Sequence, residues 1–172
     1  TYNQFKWDKM IEPKEYEKGK RQYLESMEQI TLNTVRAYYS LIFAKMNNDI
    51  ALSNYTNMGK MLNVARERQQ LGSVTRDEVL QLELRMLNDS ISINESAVAV
   101  REAQMVLNSV LGYDESYEIN PLLDETLPDI YMDYDHVMSK AMDNSSFNLS
   151  NEINLLNAES GVAQAKASRG IS

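Results

Sequence analysis

The stretch that decides the fold reads LGSVTRDE and occupies residues 71–78. Gly72 stands where a helix commonly ends on a glycine in the left-handed conformation. Thr75, followed by Glu78, matches a capping box, in which each of two side chains bonds the backbone amide of the other residue at the start of a helix. One helix that stops and another that starts within a few residues predict two antiparallel helices joined by a short turn.

Apolar residues recur at intervals of three and four on both sides of this turn, which predicts helices with one apolar stripe close to a heptad repeat. Before the turn the stripe comprises Leu24, Met27, Thr31, Val35, Tyr38, Leu41 or Ile42, Leu52, Tyr55, Gly59 and Leu62. After the turn it comprises Leu80, Leu84, Leu87, Ile91, Asn94, Val98 and Met105. Between Pro13 and Pro121 the chain contains no proline, so nothing in this interval has to break a helix.

We therefore predict an all-α fold whose main element is a long antiparallel, coiled-coil-like αα-hairpin in residues 1–112. Helix A spans about residues 14–71, the tip is residues 72–75, and helix B spans about residues 76–111 and ends at Gly112. One alternative stays open, because Asn47, Asn48, Asp49 and Gly59 are poor residues for a helix interior. A break of helix A at these positions would give a compact three-helix bundle instead.

Residues 113–172 differ from the hairpin in composition and form a second, acidic segment. Residues 113–159 hold eleven Asp and Glu side chains against the single Lys140. Pro121 and Pro128 predict extended or turn segments and allow a little β structure near residues 117–130. We then expect a short helix at about residues 134–144 and a final helix at about residues 148–168. The stripe of the final helix is Leu149, Ile153, Leu156, Ser160, Ala163 and Ala167.

Composition excludes several classes of function. The net charge of -8 disfavours nucleic-acid binding, which requires a basic face. The chain has no cysteine and one histidine, His136, beside Asp133 and Asp135; such a set does not complete a typical zinc site. No phosphate loop or catalytic motif occurs. We expect no enzymatic activity, no cofactor and no metal.

Two further expectations concern the ends of the chain and membranes. No run of 18 apolar residues occurs, so we predict no membrane-spanning helix. The chain begins without Met and without the basic and apolar regions of a signal peptide, and we expect it to be a piece of a larger protein.

Residues 68–83, RQQLGSVTRDEVLQLE, resemble the tip of the outer-membrane efflux protein (TolC) family. The pattern in that family is roughly Gly-x-x-[Ser/Thr]-x-x-[Asp/Glu]-[Val/Leu]-Leu after an aromatic or polar residue. Further similarity lies in residues 37–41 and 108–112. The chain departs from the family in lacking the strands with which the family crosses the outer membrane, and in carrying Glu78 where Asp is commoner.

The resemblance implies a trimeric duct of the cell outer membrane, of which this chain is a periplasmic part. Such a duct exports small molecules or toxins together with an inner-membrane pump and a periplasmic adaptor (membrane fusion) protein. The residues implied to dock the adaptor are Leu71, Gly72, Ser73, Val74, Thr75 and Glu78. Two other classes remain open: a non-transport coiled-coil scaffold or interaction module and, more remotely, an acidic metal-dependent enzyme.

Overall fold

A computed structural model describes residues 2–123, 126 and 129–170, and in that part of the chain it contains four helices and no strand. The helices are α1 (Gln4–Gln70), α2 (Arg76–Leu111), α3 (Tyr134–Asn144) and α4 (Ser146–Arg169). The predicted all-α class is confirmed. The chain forms two compact units, which we name the tip unit (Thr31–Glu125) and the terminal unit (Thr1–Ile30 with Thr126–Ser172).

The start of the first helix differs from the prediction. α1 begins at Gln4 rather than at about residue 14, and Pro13 lies inside it. A proline inside a helix removes one backbone hydrogen bond, which normally favours a break. Here contacts with α4 stabilise the first turns: the Tyr2 and Ser160 hydroxyls lie 2.9 Å apart, and Lys14 Nζ lies 2.6 Å from Glu152 Oε2.

The predicted alternative, a break of the first helix near residues 46–59, does not occur, because α1 is continuous through these positions. The residues that suggested a break lie against α2. The Ser96 hydroxyl donates to Asn48 Oδ1 at 3.1 Å. A Cβ atom added to Gly59 would lie 3.6 Å from Met86 Cε. Contact between the helices thus compensates for the poor helix propensity of Asn48 and Gly59.

The tip unit has two small hydrophobic clusters between α1 and α2. The first combines Ala37, Leu41 and Leu107. The second combines Leu62, Ala65 and Val79, which lie near the turn. Contacts pair residues near the middle of α1 with late residues of α2 and late residues of α1 with early residues of α2. The two helices therefore pack antiparallel within this unit.

The least exposed positions of both helices follow a heptad repeat, which we name the seam. On α1 they include Ala37, Leu41, Ala44, Asn48, Ala51, Tyr55, Met58, Leu62 and Ala65. On α2 they include Val79, Leu82, Met86, Asp89, Ile93, Ser96, Val100, Ala103 and Leu107. Five seam positions of α1 lie seven residues apart: Ala37, Ala44, Ala51, Met58 and Ala65. Four of the five are alanine, and these small side chains leave room for close approach of the two helices.

The stripe predicted for helix B is not the seam. Its members Leu80, Leu84, Leu87, Ile91, Val98 and Met105 are all exposed. The physical reason is that α2 carries two apolar stripes, and the stripe with the larger side chains does not face α1. On α1 the predicted stripe is partly correct, since Leu41 and Leu62 are buried whereas Leu24 and Leu52 are exposed.

In the terminal unit α4 packs along the first part of α1 through the predicted stripe, whose members are all buried or half-buried. Glu25 of α1 accepts hydrogen bonds from the amide and the hydroxyl of Ser146 at 2.8 and 2.7 Å. These bonds hold the pKa of Glu25 below its ordinary value, with the hydroxyl bond as the largest cause. They also cap α4, which begins at Ser146 rather than at about residue 148.

The segment Tyr113–Leu123, which we name the strap, joins α2 to the terminal unit without regular structure. The Tyr38 hydroxyl donates to the carbonyl of Leu122 at 2.6 Å and accepts from its amide at 2.9 Å. The Lys45 ammonium donates to the carbonyl of Ile119 at 3.1 Å. The described residues near 117–130 form no strand, and Asp124, Glu125, Leu127 and Pro128 lie outside the described residues.

The four described helices differ from membrane-spanning helices. None of them combines the length and the apolar character that a crossing of the bilayer requires.

Candidate functional site: the turn between α1 and α2

The turn ends α1 through a pair of backbone hydrogen bonds around a left-handed glycine. Gly72 has φ of 73°. Its amide donates to the carbonyl of Gln69 at 2.9 Å, and the amide of Ser73 donates to the carbonyl of Arg68 at 2.9 Å. This is the Schellman arrangement, which satisfies the last carbonyl groups of the helix. The predicted role of Gly72 as a helix stop agrees with this geometry.

The turn opens α2 through a reciprocal capping box. The Thr75 hydroxyl accepts from the amide of Glu78 at 3.3 Å, and the amide of Thr75 donates to Glu78 Oε2 at 2.8 Å. The Thr75 amide and, to a lesser extent, its hydroxyl hold the pKa of the Glu78 carboxyl below its ordinary value. Because this pKa is lowered in the folded state, the contribution of Glu78 to stability is present above the pKa of the unfolded chain. It is lost as the pH falls through the lowered pKa.

Replacing Thr75 by alanine should lower the free energy of unfolding of the tip unit by about 0.5–2 kcal/mol, because the first amides of α2 lose their cap. Urea denaturation followed by circular dichroism measures this change. Thr56→Ala is the matched control, since the Thr56 hydroxyl donates to the carbonyl of Leu52 within α1 and caps nothing. That control should leave stability unchanged or slightly raised, and equal losses in both variants would contradict the capping role.

An open groove lies beside the turn, between the last turns of α1 and the first turns of α2. It has a volume of about 460 Å³ and is lined by Lys60, Met61, Val64, Ala65, Arg68, Val74, Glu78 and Leu82. Its floor is apolar, because Ala65 and Val74 belong to the hydrophobic cluster under the turn. Its rim carries two cations and one carboxylate. We name this feature the tip groove.

The structure brings some of the predicted site residues together and separates others. Val74 and Glu78 line the tip groove. Leu71 projects from the end of α1 and is 81% exposed. Gly72 and Ser73 form the backbone of the turn, and a Cβ atom added to Gly72 would meet nothing within 4 Å. A partner could therefore approach the backbone closely at this point.

Sequence reasoning missed the part of the site that belongs to the helices. Lys60, Met61, Val64, Arg68 and Leu82 line the groove and were not predicted as site residues. A signal was present, since residues 61, 64, 65 and 68 are spaced by three and four, so they share one face of a helix that ends at the turn.

The single histidine, which we did not expect to hold a metal, lies outside the tip groove. His136 is on α3 and is exposed. Within the described part of the chain, no three His, Cys, Asp or Glu side chains come close enough together to hold a metal ion.

Comparison of the chain with protein-family models, with curated proteins and with solved structures finds no match.

Proposed function

We propose that this chain is the periplasmic helical part of a trimeric outer-membrane efflux channel of the TolC type. In this proposal the channel exports small molecules or toxins together with an inner-membrane pump, and the turn docks a periplasmic adaptor protein. The observation that carries the proposal is a second apolar stripe on each helix of the tip unit, on the side turned away from the seam.

The second stripe repeats in heptads on both helices. On α2 it consists of the exposed residues Leu80, Leu84, Leu87, Ile91, Val98 and Met105. On α1 it includes the exposed residues Leu32, Tyr39, Phe43, Met46, Ile50 and Val64. At about 100° per residue, these positions lie roughly half a turn around each helix from the seam.

A pair of helices that packs only against itself needs one apolar face on each helix. A closed wall of helices needs two, because each helix contacts a neighbour on either side. Asn94 and Arg101 interrupt the stripe of α2, and Ser53, Asn57 and Lys60 interrupt the stripe of α1 between Ile50 and Val64. Soluble chains rarely leave large apolar areas in water, so the apolar parts of these stripes favour further helical neighbours. The walls of an α-helical duct would supply such neighbours.

The tip supports docking of another protein on separate grounds. The tip groove offers an apolar floor with charges at its rim, which is a common composition for a protein-binding site. Leu71 projects into solvent beside it. The exposed backbone at Gly72 permits the close approach that two helical tips would require. The resemblance of residues 68–83 to the efflux family points to a periplasmic adaptor as the partner.

The test is Gly72→Val in the full-length channel that the proposal implies, measured as export and as outer-membrane abundance. A branched side chain at positive φ is strained by about 1–2 kcal/mol, which should reshape the turn without unfolding the long helices. We expect normal abundance with a large loss of export, since docking depends on the shape of the turn.

Gly112→Val is the matched control. Gly112 also has φ of 73°, it ends α2 with the same backbone pattern, and an added Cβ atom would likewise meet nothing within 4 Å. The strain should therefore be similar, but Gly112 is far from the turn in sequence. Normal export in both variants, or equal loss in both, would contradict docking at the tip.

The two apolar stripes also favour a second candidate, a coiled-coil scaffold without a transport role. A scaffold would use the sides of the helices and not the turn. In that case Gly72→Val should leave assembly and function unchanged, whereas Leu84→Glu and Ile91→Glu on the second stripe should disrupt assembly. Loss of export in the Gly72→Val variant would therefore favour the duct over the scaffold.

A further inference from the structure

The cations in the last turns of α1 differ in whether they have an acidic partner. Arg66 donates to Glu83 Oε1 on α2 at 2.7 Å and forms a salt bridge with it. Lys60 and Arg68 line the tip groove, and both are exposed. Within the described residues, neither of these two side chains takes part in a hydrogen bond or an ion pair. Two unpaired cations therefore border the apolar floor of the groove.

The carboxylates close to the groove do not neutralise these two cations. Glu78 lines the groove, but its Oε2 accepts hydrogen bonds from the amide and the hydroxyl of Thr75 at 2.8 and 2.9 Å. Glu67 and Asp77 each lie next in sequence to a lining residue, about 100° around their helices, and neither lines the groove. Glu67 is also about 10 Å along the helix from Lys60, too far for a salt bridge. The groove therefore keeps an excess of positive charge.

A row of three residues on α1 borders the groove and comprises Lys60, Val64 and Arg68. Residues spaced by four are neighbours on the surface of a helix. The two cations lie about 12 Å apart along the axis, with Val64 halfway between them. Val64 is 49% exposed, and it lines the groove together with the half-buried Leu82 of α2. The row thus offers a cation, an apolar side chain and a second cation.

We propose that the tip groove binds a helix of the adaptor that carries a carboxylate, an aliphatic side chain and a second carboxylate at intervals of four residues. Such a helix repeats the spacing of the row, so its aliphatic side chain contacts Val64 and its carboxylates lie against Lys60 and Arg68. Helices that bind in grooves commonly use anchors at such spacings. The pattern is the same in both directions, so it fits either orientation of the bound helix. The inference rests on the proposed function for the kind of partner, a helical adaptor protein.

The charges of the row determine which partner binds more than how tightly it binds. Exposed ion pairs contribute little to affinity, because water and salt screen them. Cations on the rim instead attract an acidic partner and disfavour a basic one. Arg68 also lies in the last turn of α1, where a cation stabilises the end of a helix. That role concerns the stability of α1 and not the charge of a partner, so experiment can separate the two roles.

Nuclear magnetic resonance of the isotope-labelled chain with two synthetic helical peptides tests the inference. One peptide carries Glu, Leu and Glu at intervals of four residues, and the other carries Lys, Leu and Lys at the same positions. Backbone amide signals report binding even when the dissociation constant is millimolar. The Glu peptide should shift the signals of residues 60–82. It should bind about fivefold more tightly than the Lys peptide, which is the scale that two exposed ion pairs allow.

Reversing the charges of the row should reverse the preference between the peptides. In the variant Lys60→Glu with Arg68→Glu, the Lys peptide should bind more tightly than the Glu peptide. The matched control is Arg66→Glu with Arg76→Glu, which makes the same change of net charge close to the turn. Arg66 and Arg76 each lie two residues from a lining residue, about 160° around their helices, so this control should keep the preference of the wild-type chain. Circular dichroism verifies that each variant keeps its helices.

Equal binding of the two peptides to the wild-type chain, or binding of neither at millimolar concentration, would overturn the inference. A control variant that also reverses its preference would overturn it too, because the peptides would then respond only to net charge. The Gly72→Val export test is independent of these results. Loss of export in that variant with equal binding of the peptides would keep docking at the turn and reject the acidic partner. Normal export with the expected preference would keep the acid-binding groove and count against the duct.

Discussion

Leu41→Ala should lower the free energy of unfolding of the tip unit by about 2–5 kcal/mol, the range for truncating a buried leucine. Leu41 is 0% exposed and forms, with Ala37 and Leu107, the cluster that joins α1 to the end of α2. The truncation leaves a cavity, and the neighbouring Ala37 side chain is too small to fill it. Urea denaturation should show the loss as a lower midpoint with an unchanged slope.

Leu52→Ala is the control for this variant, because Leu52 lies on the same helix and is exposed. It should change the free energy of unfolding by no more than about 0.5 kcal/mol, as is usual for surface positions. Equal effects of the two truncations would mean that α1 and α2 do not pack through the seam. A small effect of Leu41→Ala alone would mean that the cluster collapses around the cavity.

Asn108→Leu should lower the free energy of unfolding by about 1–3 kcal/mol, the cost of leaving buried polar groups without partners. Asn108 is 0% exposed. Its Nδ2 donates to the carbonyls of Asp114, Glu115 and Tyr117 at 3.0, 3.3 and 2.8 Å. Leucine has a similar volume, so the loss should come from these hydrogen bonds rather than from a cavity.

The same variant should detach the start of the strap from α2, and faster amide hydrogen exchange in residues 114–120 would report this. Asn94→Leu is the control, because Asn94 is exposed and its side chain donates only to Ser90 within α2. Unchanged exchange in the strap of the Asn108 variant would show that Tyr38 and Lys45 are sufficient to hold it.

The turn could be predicted from the sequence because its structure depends on local chemistry. Gly72, Thr75 and Glu78 act through the backbone of their immediate neighbours, so their spacing alone contains the information. The stripe of α4 could be predicted for a related reason, since it has one dominant apolar face.

The seam between α1 and α2 could not be chosen correctly from spacing. Both helices carry two apolar stripes, and periodicity does not say which of them meets the partner. In addition, the true seam contains Asn48, Asp89 and Ser96, which look unsuitable by composition, whereas the exposed stripe contains leucines. Small residues such as Ala44 and Ala51 pack by allowing close approach, and this signal is weaker than hydrophobicity.

The start of α1 and the tip groove could not be predicted from the sequence, because both depend on tertiary contacts. Pro13 marks a helix boundary in isolation, but contacts with α4 on both sides of Pro13 favour a continuous helix. The groove could not be predicted without knowing which residues of α1 lie beside α2. Met61 and Arg68 line the groove because the fold brings Val74 and Leu82 close to them.

The fixed register of the seam limits how this protein can change in length during evolution. Asn48 meets Ser96, Gly59 meets Met86, and Arg66 meets Glu83, so a position on one helix specifies its partner on the other. Deletion of one residue from α2 would rotate every later position by about 100° and separate the apolar faces. Lineages should therefore gain or lose residues in multiples of seven, with matching insertions or deletions in both helices at equal distance from the turn.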